Sequence, residues 1–403
     1  MRIRSITYFC NPGFPIQEEV LRAAGDFLAQ AKSAYQASGY EVQTTRLATV
    51  PFPYLLGEAR IGDLPRLAEE LARLLLQAGI AYASLGPALP AMRRSYEVVP
   101  DAIAGSENVF FGGVMAGGGE IDMAAVQACA EVIVRCAPLD PNGFANLRFA
   151  ALANVPAGAP FFPAAFHEGE EPAFAIATEA ADLAVSAFEG AKSLEAGRTA
   201  LIAEIEKHGQ ALEQIASTRL WNVGFGGVDF SLAPFPDDAH SLGNAVERMG
   251  VARIGLHGSL AAAALLTEAV ERADFTHTGF SGFMQPILED SVLAKRAADG
   301  SLSIKDALLY SAVCGTGLDT IPLAGDTTAE ELTPLLLDLC ALALRLNKPL
   351  TARLMPVPGK KAGEATSFDF GFFANGKVMS LDSAALTAPL NKAQIIPLQA
   401  RRK

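Results

Sequence analysis

Runs with a β-type pattern alternate with helical patterns along all 403 residues, and this alternation restricts the fold more than any single motif. Ile3 to Phe9 reads as a strand and leads to a helix over Gln17 to Ala37, with apolar spacing at Val20, Leu21, Ala24, Phe27 and Leu28 and a stop at Gly39. Glu41 to Leu47 is the next strand. A helix over Leu64 to Ala78 feeds Ala81 to Leu85, a helical stretch before Gly105 feeds Val109 to Met115, and Asp122 to Cys136 is helical. Phe144 to Ala153, Ala173 to Ala177, Gly226 to Leu232, Ala252 to Leu256, Leu350 to Leu354 and Ser367 to Phe373 are further strand candidates. Strands separated by helices pair in parallel through right-handed crossovers, and roughly ten of them exceed what an open twisted sheet carries comfortably. The expectation is a single α/β domain over residues 1–403, closed as a barrel of about ten strands. The alternative is an open doubly wound sheet with a second lobe, bridged by the long helix from Leu194 to Arg219.

Composition removes several function classes. The 44 acidic residues against 32 basic give a net charge of −12, a field that repels phosphate backbones and anionic lipid surfaces. Nucleic acid and membrane are therefore not the expected partners. The apolar stretches Leu260 to Leu266 and Leu332 to Leu346 are broken by charges before the roughly 20 residues a bilayer requires. The five cysteines, Cys10, Cys129, Cys136, Cys314 and Cys340, lack the spacing of a disulfide framework or a zinc knuckle, so a reducing cytoplasm is expected. MRIRSITYF has no apolar run of signal-peptide length.

Carboxylates and histidines next to strand ends are the candidate chemistry. Asp229 follows Val228 among apolar neighbours, where an ionised group needs a cation, a metal or backbone donors. The plain structural reading pairs it with Arg253 or Arg353, or with amides of a neighbouring turn. Asp237 and Asp238 precede a helix starting near Ser241, as helix-capping charges do. His257, in Gly255-Leu256-His257-Gly258-Ser259, lies at a strand–glycine–helix junction where free amides and an imidazole meet; the plain reading is a helix cap. His167 and Glu171 in FHEGEE would share a face on a helix, although Gly169 and Pro172 favour a loop. Cys314-Gly315-Thr316-Gly317-Leu318-Asp319 offers a thiol and a carboxylate in a glycine-flanked loop; the plain reading of Cys314 is a small core residue. The run Gly112 to Glu120 lacks the lysine and spacing of a phosphate loop and reads as a flexible turn near the site. Ser281 lacks a nucleophile-elbow context, whereas Glu289 or Asp290 could join a metal set.

Several of these segments, IRSIT, FHEGEE from Phe166, GVDFSLAP from Gly227, MGVARIGLHGSLAAAALL from Met249, GFSGFMQPILED from Gly279, CGTGLDTIPLAGD from Cys314 and the FGFF run before Asn375, together resemble the domain-of-unknown-function 711 family, also known as uncharacterised protein family 0210. The resemblance implies a barrel of about ten strands like that of the glycyl-radical enzymes, and no particular activity. The glycyl-radical fingerprint is absent, so radical chemistry is not expected. The chain is shorter than the typical member, and His240 stands where other members tend to carry an acidic residue.

The functional expectation is a cytoplasmic enzyme acting on a small polar metabolite in a barrel pocket, with His167, Asp229, His257, Cys314 and Asp319 as acid, base or nucleophile. Glu171, Asp229 and His240 are the side chains that would take a divalent ion, whether Mg²⁺, Mn²⁺ or Zn²⁺. The alternative is a non-catalytic small-molecule-binding or regulatory protein. Apolar helices such as Leu332 to Leu346 could supply a subunit contact, so a homo-oligomer is expected in either case.

Overall fold

The computed structural model describes residues 1–401, organised around an 11-stranded sheet with helices packed on it. Five strands run parallel in spatial order: β1 (Arg2–Cys10), β2 (Val42–Thr49), β3 (Tyr82–Ala88), β4 (Val109–Gly117) and β6 (Phe149–Ala153), while β5 (Glu120–Asp122) forms a hairpin with β4. On one flank β7 (Ala173–Glu179) lies antiparallel to β1 and carries β8 (Gly224–Asp229). A two-stranded sheet pairs β9 (Ser231–Leu232) with β10 (Gly282–Phe283). On the other flank β12 (Leu350–Val357) lies antiparallel to β6 and carries β11 (Gly317–Ala324), and β13 (Ile395–Pro397) closes against β5.

Two expectations need correcting. The sheet is mixed, because the connection from β6 to β7 contains no crossover helix and the chain direction reverses there. The ladders also stop at β8 and β11, so they do not form the closed ten-stranded barrel expected from the strand count.

Alternation along the strands gives the sheet two different faces. Ile3, Ile6, Tyr8 and Leu47 point into the large core shared with the helices, whereas Phe9 and Ala48 belong to a separate cluster with Phe162, Ala165 and Ala175. That second face is covered by the segment between β6 and β7. Thr7 donates to the Pro160 carbonyl and Ser84 to the Ala165 carbonyl, which anchors Phe161 and Phe162 over the strands. The same face is strongly curved. Arg4 on β1 and Arg353 on β12 both reach the carboxylate of Glu289, yet five steps of strand order would separate them by roughly 24 Å on a flat sheet at about 4.8 Å per step.

The helix Ala329–Leu346 begins with a reciprocal cap between Thr328 and Glu331. It buries Leu332, Leu335, Leu336, Leu339 and Leu344 within the chain, so this apolar stripe is already occupied. No helix among the described residues is long and apolar enough to cross a membrane.

Other local expectations also change. Ala252 to Leu256 is a turn with one isolated bridge, and Ser367 to Phe373 has no strand pairing. Gly112 to Glu120 is the end of β4 followed by a tight hairpin, in which Gly118 and Gly119 take the positive φ values that a two-residue turn needs. Phe144–Arg148 is a 3₁₀ turn before β6.

Candidate ligand cavity

The curved face frames an open cavity of about 230 Å³. Its polar wall comes from strand positions that point away from the helices: Arg4 on β1, Thr44 and Arg46 on β2, and Arg353 on β12. Its apolar wall is aromatic, with Tyr82 from β3, Phe110 from β4, and Phe161 and Phe162 from the covering segment. Phe370, Phe372 and Phe373 complete it from a coil near the C-terminus.

That coil is held without a ladder. The side chain of Asn375 accepts from the Phe368 amide at 2.7 Å and donates to its carbonyl at 3.2 Å, and the Ala374 amide donates to Leu288 O at 2.7 Å. Phe144 packs among Phe368, Phe370 and Phe373, with ring centroids 5.3 to 5.7 Å apart.

Glu289 reaches the cavity because the preceding segment docks beside β11. Ile287 N donates to Asp319 O at 3.1 Å and Leu288 N to the Thr320 hydroxyl at 3.3 Å. The Glu289 carboxylate is then clasped between two guanidinium groups, those of Arg4 and Arg353, the latter at 2.9 Å. Arg353 also forks onto Asp319, with Nε to Oδ1 at 2.5 Å and Nη2 to Oδ2 at 2.9 Å. Burial pushes the Glu289 carboxyl up, but Arg4 and Arg353 outweigh it and hold it below its ordinary value. Asp319 is pushed up by burial, with Arg353 pulling the other way.

Arg46 differs from its neighbours. Its Nε donates to Thr44 Oγ1 at 2.9 Å, and its guanidinium lies 5.0 Å from the Phe162 ring centre and 6.0 Å from that of Tyr82. No carboxylate among the described residues pairs with it. Burial, together with Arg4 and Arg353 nearby, lowers its pKa to about 9, the direction expected of a cation short of counter-charge.

Of the side chains singled out from sequence, the structure brings Asp319 into this network, on β11 rather than in a loop, with Glu289 beside it. The others lie elsewhere. Asp229 is fully buried and accepts from Ser231 Oγ at 2.7 Å and from the amides of Phe280 and Ser281 at 3.0 and 2.9 Å. Gly279 lets that loop approach, since a Cβ there would sit 2.3 Å from the carboxylate in a backbone of φ +64°. Burial raises the Asp229 pKa against those three hydrogen bonds. Asp290 is a staple: it accepts from Ser241 Oγ and from the amides of Leu242, Gly243, Val292 and Leu293, joining the starts of two helices.

His167 is buried with its Nε2 unpartnered, while Glu171 is exposed in a helix-free segment, so the two do not share a helix face. His257 is exposed in a turn before the helix Ser259–Arg272. Cys314 is buried, and its sulfur accepts from the Gly317 amide at 3.2 Å; burial raises its thiol pKa, the wrong direction for a nucleophile. His240 pairs with Asp237 at 2.8 Å. Among the described residues no three His, Cys, Asp or Glu side chains gather as a metal set, so Glu171, Asp229 and His240 do not form one.

Sequence reasoning missed Arg4 and Arg46, and saw Arg353 only as a partner for Asp229. The available signal was slight: Ile3 between Arg2 and Arg4, and Leu47 after Arg46, are the neighbours that turn to the helix-side core, while Ser5, Gln43 and Thr45 break the alternation.

Comparison with known proteins identifies the family of the chain. The family described as uncharacterised ACR (DUF711) matches residues 1–375. A UPF0210 protein of Acetivibrio thermocellus is 29% identical over 404 residues, covering 95% of this chain and 88% of the relative. One from Ruminiclostridium cellulolyticum is 28% identical over 96% of this chain and 91% of its own length, and one from Halothermothrix orenii is 29% identical over 95% and 88%. The chain therefore belongs to the uncharacterised DUF711 family.

Proposed function

We propose that the chain is an enzyme acting on a small polar metabolite held in the cavity between β1, β2 and β12. The observation that carries this reading is an ionised, buried carboxylate, Glu289, on the wall of an open space and held between two arginines. Glu289 is the group placed to accept a proton or orient a substrate hydroxyl or amine; Arg4 and Arg353 position it, and Asp319 fixes Arg353 from behind. The aromatic side chains supply the apolar part of the wall against which a substrate body would pack.

A second reading, a non-catalytic binding protein, is favoured by one observation. The carboxylate that faces the cavity is tied to guanidinium groups, which holds it as an ion and weakens it as a base. A metabolite library screened by thermal shift, followed by mass spectrometry of the hits, separates the two readings. The enzyme reading requires product from at least one hit and its loss in Glu289→Gln; binding without product in any hit selects the second.

The finer fold reading is a sheet that curls to closure, in a single domain. It is supported by the shared carboxylate between β1 and β12, by the isolated bridges Val228 to His277 and Pro286 to Asp319, and by the Thr178 hydroxyl donating to Ser231 O. The five free buried thiols fit a reducing cytoplasm. Self-association belongs to the same reading, and light scattering tests it.

A further inference from the structure

The three arginines on the cavity are not equally partnered. Arg4 and Arg353 hold Glu289, Arg353 also holds Asp319, and the nearby buried Glu179 is shared among Arg2 at 3.4 Å, the Gln43 amide at 2.8 Å and the field of Arg4, while Arg2 also pairs with Glu41 at 3.2 Å. Arg46 is the one of the three with no carboxylate partner among the described residues. The terminal nitrogens of Arg46 make no hydrogen bond among the described residues, and the side chain lines the cavity. A guanidinium presents these donors as a planar fork that matches a carboxylate edge to edge. A phosphate monoester would bring about −1.5 to −2 charges to a site with one unpartnered guanidinium, whereas a carboxylate brings one. Phe110, Phe161, Phe162 and Phe373 supply flat apolar surface on the same cavity.

We propose that the cavity takes a monocarboxylate with a flat apolar body, its carboxylate forked onto Arg46 and its body stacked among the phenylalanines. This inference rests on the cavity reading above and adds the charge and shape of the ligand. Arg46 is a binding residue in it, and the anion is the counter-charge that the two protein carboxylates do not supply.

Three probes of one size test it: 3-phenylpropionate, its neutral amide, and phenyl phosphate. A reporter chain carries Trp221→Phe and Phe372→Trp, so that the sole tryptophan stands at the rim of the cavity; both positions are exposed and tolerate the exchange. Saturable emission change with 3-phenylpropionate is expected, with the amide and phenyl phosphate each at least tenfold weaker. Arg46→Gln should weaken the carboxylate at least tenfold and leave the amide unchanged, and Arg46→Lys should restore part of the loss. An unchanged melting temperature in Arg46→Gln certifies that the variant is folded. Equal binding of acid and amide, or no effect of Arg46→Gln, overturns the anion inference while the emission change keeps the cavity reading standing. Tighter binding of phenyl phosphate overturns the choice of carboxylate. If no probe alters the emission, the inference fails, and the cavity reading is then decided by the library screen.

Discussion

Glu289 and Asp290 are chain neighbours, both buried carboxylates, and they are matched in opposite ways. Asp290 has five neutral donors, one hydroxyl and four amides from the first turns of two helices, and no cation. Glu289 has two guanidinium groups and faces an open space. Glu289 closes a turn, its amide donating to Pro286 O at 3.1 Å, and Asp290 follows in extended backbone as a helix N-cap; one side chain goes to the curved face of the sheet and the other into a helix junction. Of these two buried acids, the one surrounded by amides joins helices and the one held by arginines faces the cavity.

The contrast breaks first on stability. Glu289→Gln removes the shared partner of Arg4 and Arg353, leaving Arg4 without its ion pair beside Arg46 and Arg353 with Asp319 alone, so a loss of about 3–5 kcal/mol is expected from urea denaturation. Asp290→Asn keeps one acceptor oxygen for the same amides and should cost only about 1–2 kcal/mol. If the asparagine is the more damaging of the two, the division drawn between them is wrong.

The two acids should also differ in the sign of their pH response. Burial holds Asp290 above its ordinary 3.8 despite its hydrogen bonds, so the folded chain keeps that proton longer than the unfolded one. Its contribution is complete below 3.8 and is lost as pH rises through the folded value. Glu289 lies below its ordinary 4.5, so its contribution is complete above 4.5 and is lost as pH falls through the folded value. Urea midpoints measured from about pH 3 to pH 7 check both. Asp290→Asn should flatten a decline that begins above 3.8, and Glu289→Gln should remove part of the loss on acidification below 4.5.

The smallest effects belong to groups outside the comparison. Arg46→Gln removes an unmatched cation and should change stability by less than about 1 kcal/mol, in the stabilising direction. His257→Ala, at an exposed turn, should stay within about 0.5 kcal/mol in the same urea assay. A larger loss at His257 would mean that its turn holds more of the structure together than its exposure indicates.

The strands and helices of the first half were legible because their patterns are local: apolar residues recur at helical spacing in Glu18–Gln36 and Leu64–Gln77, and at strand spacing in β1 to β4. The β11 strand was read as a loop because glycine and proline interrupt it, although its core position tolerates both. Ser367 to Phe373 has the aromatic content of a strand, but its amides go to Asn375 and its neighbours, which composition does not reveal. The candidate site was legible only as residue types. Glu289 and Asp319 stand out as acids in apolar surroundings, but their pairing depends on the curvature that brings β1 to β12, a property of the whole sheet. Asp229 and Cys314 stand out for the same reason, and nearby amides satisfy both.

The hydrogen bond between Arg4 and Glu289 spans 285 positions. Closing so large a loop carries an entropic cost that only the assembled sheet can offset, so this contact should form late in folding. Fragments that retain most of the strands should therefore lack the clasp, and the appearance of ligand affinity during refolding should mark completion of the native state rather than collapse.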